Sequence, residues 1–227
     1  MKTILTALVA IATLALQQDP VKVAPETYKA ILDNDFVRVL EVDVKVGAKV
    51  AQHSHPANVV YAISDGKVRF TDKEGKGADV EMKAGQAVWN DAQVHASENV
   101  GGKEMKALVF ELKEPKKEHP LADAPKGDDA VKATPDTSKI LLNNERVHLV
   151  DIRLKKDAKS PLHVHPGYVA YALNDGKVKF TGTDGKEAVV EVKAGAALWR
   201  DAEAHTVENL GDELHVLHLE LKPAKKK

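Results

Sequence analysis

The sequence predicts an all-β protein made of two tandem copies of one antiparallel domain. Three observations carry this: long stretches recur at one constant separation, their apolar residues alternate with polar ones, and turn signals break them about every ten residues.

The repeat is read from three pairs. "NDFVRVLEVDV" at Asn34 matches "NERVHLVDIRL" at Asn144, and "YAISDGKVRFTDKEGK" at Tyr61 matches "YALNDGKVKFTGTDGK" at Tyr171. "VEMKAGQAVWNDAQVHASENVG" at Val80 matches "VEVKAGAALWRDAEAHTVENLG" at Val190, and every pair is offset by 110 residues. The copies span residues 19–112 and 129–221, with one residue lost after Gly211. Units of this length are too few for a solenoid and too long for a propeller blade, so each is a domain. Residues 113–128, rich in Lys, Pro and acid without apolar periodicity, read as a linker, and residues 222–227 as a Lys-rich tail.

Within each copy, "FVRVLEVDV" and "VHLVDIRL" show the period of two that half-buried strands require. "YAISDGKVRF" and "YALNDGKVKF" place Asp-Gly between apolar runs, which predicts a two-residue hairpin with positive φ at the glycine. "TDKEGK" and "TGTDGK" mark further turns. Many short strands of this kind predict a sandwich or a barrel.

The N-terminus is a separate signal. Lys2 precedes an apolar run from Ile4 to Leu16, short for a membrane span and right for the core of a secretory leader, with small residues at Thr13 and Ala15. Residues 1–18 are therefore expected to be a signal peptide and the mature chain to be secreted or periplasmic. With that leader removed, no membrane association is expected. The formal net charge of −1 and the 4% aromatic content point away from nucleic-acid binding. The absence of cysteine excludes disulfides, thiolate ligands and cysteine nucleophiles.

The chemistry lies in the histidines. In a strand, residues i and i+2 share a face, so His53 and His55 project together, as do His163 and His165. A third histidine follows 42 positions after the first in each copy, at His95 and His205. Histidines elsewhere differ between copies (Arg38 opposite His148, Lys106 opposite His215), while these three match. A lone His-x-His is more often a solvated pair, but with the third matching histidine the set predicts a divalent metal site in each copy, for Fe, Zn, Mn, Ni or Cu without choosing among them. Gln93 and Glu203 precede the third histidine by two residues. They either face the same interior, where Glu203 is a candidate ligand or base and Gln93 a hydrogen-bonding group, or sit in solvent, the commoner case. Tyr61 and Tyr171 are candidate ligand-binding hydroxyls or, more commonly, core residues.

These motifs resemble the cupin superfamily, whose first motif is G-x5-H-x-H-x3-4-E-x6-G. "GAKVAQHSHPANVVYAISDG" supplies Gly47, His53, His55 and Gly66, while "GQAVWNDAQVHASEN" and "GAALWRDAEAHTVEN" carry the second motif through His95, Asn99, His205 and Asn209. The resemblance covers both copies and implies a bicupin with a double-stranded β-helix, or jelly-roll barrel, in each. The family's Glu ligand aligns with Val59 and Val169, Asp157 replaces the first glycine of copy two, and the second motif is one residue short. What the resemblance implies is thus a three-histidine site. Glu-containing Mn bicupins act on oxalate, which the two valines argue against here, and three-histidine cupins include dioxygenases. The expected function is a metal-dependent dioxygenase or isomerase acting on a small polar molecule. The other reading is a non-catalytic protein binding a small ligand or metal. No catalytic residue is assigned, and a homodimer is expected by analogy.

Overall fold

The computed structural model describes residues 18–116 and 121–223. The expected leader lies outside these residues apart from Gln18, as do His119 and the tail from residue 224. Among the described residues no helix is long and apolar enough to cross a membrane.

The protein is all-β, with nine strands in each copy. The first comprises β1 (Tyr28–Asp33), β2 (Val37–Val44), β3 (Lys49–His55), β4 (Asn58–Ala62), β5 (Gly66–Thr71), β6 (Gly77–Met82), β7 (Ala87–Asn90), β8 (Gln93–Asn99) and β9 (Met105–Leu112). They form a five-stranded sheet, β1-β2-β9-β4-β7, facing a four-stranded sheet, β3-β8-β5-β6. The second copy repeats this with β10 (Ser138–Asn143), β11 (Val147–Leu154), β12 (Lys159–His165), β13 (Tyr168–Ala172), β14 (Gly176–Gly182), β15 (Glu187–Val192), β16 (Ala197–Arg200), β17 (Glu203–Asn209) and β18 (Leu214–Leu221). Its sheets are β10-β11-β18-β13-β16 and β12-β17-β14-β15, and all named pairings are antiparallel. A one-turn helix precedes each copy, α1 (Pro20–Val23) and α2 (Ala130–Ala133). Each is capped by an aspartate, Asp19 or Asp129, whose side chain accepts from a backbone N–H of the first turn.

The five-stranded sheet is buried on both faces at its centre, which explains the nearly unbroken apolar run of β9. One face, carrying Leu40, Val42, Val44, Ala107 and Val109, closes over the barrel interior. The other, carrying Val37, Val39, Val59, Tyr61, Leu108, Phe110 and Leu112, packs on Val147, Leu149, Val169, Tyr171, Leu217, Leu219 and Leu221 of the second copy. The two domains therefore share one core, with Phe36 stacked on Trp199 across it at a ring separation of 4.9 Å.

One open alternative is decided here and one expectation corrected. Val59 and Tyr61, like Val169 and Tyr171, belong to this interdomain core, and none of the four faces a histidine cluster. On β4 it is Asn58, Val60 and Ala62 that point into the barrel, because alternation puts their neighbours on the opposite face. The Asp-Gly hairpin is also absent. β4 pairs with β7 and β9, β5 with β6 and β8, so Asp65-Gly66 carries the chain from one sheet to the other. Gly66 has no positive φ; glycine stands there because a Cβ would lie 2.5 Å from the Met105 side chain, and Gly176 meets Leu214 in the same way at 2.6 Å. The other turns need left-handed backbone, with Gly75 at φ 83° and Gly185 at φ 76°. Where Gly47 has φ 71°, Asp157 takes φ 61° in copy two, a conformation that short polar side chains tolerate.

Candidate metal centres

In the first domain His53 and His55 lie on β3, and His95 faces His53 across the β3–β8 ladder. A register shift between Val50 and His53 sets this pairing. The same shift on β12 brings His163 opposite His205. In each domain the three imidazoles offer ligand atoms within 4.8 Å of one another, and all six rings are at most 7% exposed. The ring centroids lie 4.6–5.4 Å apart in the first cluster and 4.8–5.1 Å in the second.

Second contacts fix the tautomers. His53 Nδ1 lies 2.8 Å from the Ala51 carbonyl and His163 Nδ1 lies 2.7 Å from that of Pro161, so both nitrogens donate and leave Nε2 bare. His55 Nδ1 is 2.7 Å from Glu111 Oε1, and His165 Nδ1 is 2.7 Å from Glu220 Oε1. Glu111 and Glu220, 1% and 4% exposed, are the only carboxylates of their strands, and both point into the barrel. A carboxylate behind a ligating imidazole orients it and raises its basicity. Arg38 Nε donates to Glu111 at 2.5 Å and Arg38 Nη1 to Asp19 at 2.9 Å, whereas His148 Nδ1 lies 3.1 Å from Glu220 in the second domain.

Burial and neighbouring imidazoles favour the neutral form of His53, His95 and His163. Burial pushes His53 down, and burial with the His53 and His55 rings takes His95 to about 3. His163 falls to about 4, chiefly through burial. Burial works to raise Glu220, yet hydrogen bonds from His148 and His165 hold it at about 2. Imidazoles with a carboxylate behind them are a donor set that suits a divalent cation. His165 Nε2 is buried with no hydrogen-bond partner among the described residues, as a nitrogen awaiting a metal would be. The residues present fit such an ion.

Each cluster closes one wall of a cavity, about 330 Å³ in the first domain and about 340 Å³ in the second. The remaining walls are mainly apolar, with Val68, Phe70 and Met82 in one and Val178, Phe180 and Val207 in the other. The polar groups differ. In the first domain Tyr28 Oη is 3.2 Å from His53 Nε2, Asn90 donates to Asn58, and Gln93 is exposed at the mouth. In the second, Tyr168 donates to Glu203 at 2.9 Å, and Arg200 grips Glu203 with two nitrogens at 2.8 and 2.6 Å. Glu203 Oε1 also lies 3.3 Å from His205 Nδ1, within ion-pair reach but not aligned as a hydrogen bond. Burial would raise its pKa, but His205, Arg200 and Tyr168 hold it well below the usual carboxylate range. Gln93 and Glu203 both begin strands instead of sitting on loops. His218 lines the second cavity, 5.3 Å from the His165 ring, where the first domain has Val109.

The Cupin domain family matches residues 40–111, the span that carries the first cluster. The second copy repeats its strands, sheets and histidines. The first domain is a cupin, and the second shares its fold. As a bicupin the chain resembles solved oxalate decarboxylase structures across both domains. One shares 15% identity at a TM-score of 0.61, covering 86% of this chain and 72% of that one. A Bacillus subtilis oxalate decarboxylase variant shares 14% at 0.61, with coverages of 85% and 71%. Another Bacillus subtilis structure, described for its Mn(II) centres, shares 14% at 0.59, with 88% and 77% covered. At such identities the likeness is one of fold. No curated protein sequence matches this bicupin.

Glu111, Glu220, Tyr28, Arg200 and His218 were not singled out by sequence reasoning. A charged residue inside an apolar strand, as in "LVFEL" and "LHLEL", was the available signal for the two glutamates.

Proposed function

We propose that this bicupin is an exported protein holding a divalent cation in each domain and acting on a small molecule admitted to the barrel. The observation that supports it is the pair of buried three-imidazole clusters, each with two of its Nδ1 atoms hydrogen-bonded to fixed acceptors and each opening on a cavity. A bound cation would be held by His53, His55 and His95, and by His163, His165 and His205, and would polarise an oxygen donor of the ligand. The chain's residues bury those rings away from water and aim four of them, His53, His163, His55 and His165, through the Ala51, Pro161, Glu111 and Glu220 acceptors. The apolar walls suit a ligand with one oxygen-donor head and an apolar body, a refinement of the polar molecule expected from sequence. Oxygenase or isomerase chemistry is the reaction class this open site suits. The run from Ile4 to Leu16 supports export.

The second reading, a non-catalytic binding protein, is favoured by one observation: Glu203 is engaged by Tyr168 and Arg200, and the first cavity has neutral amides in its place. Elemental analysis of untagged protein tests the shared premise. Close to two equivalents of one transition metal per chain are expected. A chain that stays metal-free after anaerobic Fe(II), Zn(II) and Ni(II) titration refutes it.

A further inference from the structure

We propose that the two centres differ in affinity for a divalent cation, the second domain holding it more tightly, with the partner of the buried glutamate setting the difference. This rests on the metal-binding reading above. Glu111 and Glu220 play the same part toward His55 and His165, at the same 2.7 Å. Their other partners are unlike. Glu111 also accepts from Arg38, a permanent cation only 16% exposed at its side chain. That charge draws the carboxylate's electron density away from His55 and places a positive group behind the cluster. Asp19 answers it from the far side, but at 32% exposure it is screened by water. Glu220 is shared with His148, a ring without a permanent charge, so His165 receives more of the carboxylate's pull and is the stronger donor.

Two further differences act in the same direction. In the first domain Tyr28 Oη sits 3.2 Å from His53 Nε2 and must leave before that nitrogen can ligate. The residue at its place in the second domain is Ser138, and no hydrogen bond to His163 Nε2, the counterpart of His53 Nε2, is made among the described residues. The second cavity also gains an imidazole, His218, whose Nδ1 is buried and unpaired among those residues.

The test is a Zn(II) titration of the full chain in competition with a chromophoric chelator. Two equivalents should bind with affinities about ten-fold apart, the scale of the effect of a partner behind a metal ligand. His53→Ala with His95→Ala should remove the weaker phase, and His163→Ala with His205→Ala the tighter one. Arg38→His should strengthen the weak phase and His148→Arg should weaken the strong one. Tyr28→Phe, nearly isosteric and so safe for folding, should also strengthen the weak phase. Two equal affinities, a tighter first domain, or Arg38→His and Tyr28→Phe leaving the weak phase unchanged would overturn the inference while leaving the metal reading intact. A chain that binds no Zn(II) sinks both.

Discussion

The register of β4 makes a sharp prediction about where a carboxylate can be introduced. Val59 is 0% exposed and lies in the core shared by the two domains, while Val60 lines the cavity that also contains His55 and His95. Val59→Glu loses about 1.5–3 kcal/mol of apolar burial. Burying its carboxyl shifts the pKa by about 3–5 units, a further cost of roughly 4–7 kcal/mol near neutral pH. The sum is comparable with the entire stability of an ordinary domain, about 5–15 kcal/mol, so this variant should lose cooperative folding or separate its domains. Val60→Glu places the same group on the cavity wall beside Asn58 and the imidazoles, and should cost about 1–3 kcal/mol in the metal-free protein. Added negative charge facing the cluster should tighten divalent-cation binding. Urea unfolding of both variants, followed by Zn(II) titration, checks the contrast. A well-folded Val59→Glu with improved metal affinity, beside a disrupted Val60→Glu, would show that the sheet faces are assigned the wrong way round.

Other outcomes follow from the same contacts. In metal-free protein the depressed pKa values of His95 and His163, about 3 and about 4, favour the neutral folded state, so their stabilisation is complete above the unfolded value of 6.5. It is lost as pH falls from there toward 4 and then 3, so the urea midpoint should drop between about pH 7 and about pH 5, and a flat or rising midpoint contradicts it. Gly66→Ala forces a Cβ against Met105 and should destabilise by about 1–3 kcal/mol, whereas a neutral effect would mean the crossover has room. Phe36→Ala removes a 5% exposed ring stacked on Trp199 and should cost about 3–5 kcal/mol while changing tryptophan fluorescence; unchanged fluorescence would place the two rings apart. Glu220→Gln keeps the shape behind His165 but removes the charge, and should weaken Zn(II) binding in the second domain about 10–100-fold. Equal affinity by competition titration would deny that carboxylate its role.

What the sequence by itself determined was everything carried by local period and by comparison of the chain with itself. The repeat, the all-β class and the projection of His53 with His55 need only strand alternation, and that alternation is blind to which sheet a strand joins. Tertiary structure decided the rest. It placed Val59 and Tyr61 between the domains, because the five-stranded sheet has two buried faces and an apolar pattern cannot tell them apart. It turned Asp65-Gly66 from a hairpin into a crossover, because Gly66 serves a close approach to Met105, a residue far along the chain. It gathered Glu111, Arg38 and Asp19 behind His55, and Tyr168, Arg200 and Glu203 beside His205, through strand pairings that no local spacing encodes. Even the histidine triads depended on this: His53 and His95 are 42 residues apart, and it is the β3–β8 ladder that puts their rings 4.6 Å from each other.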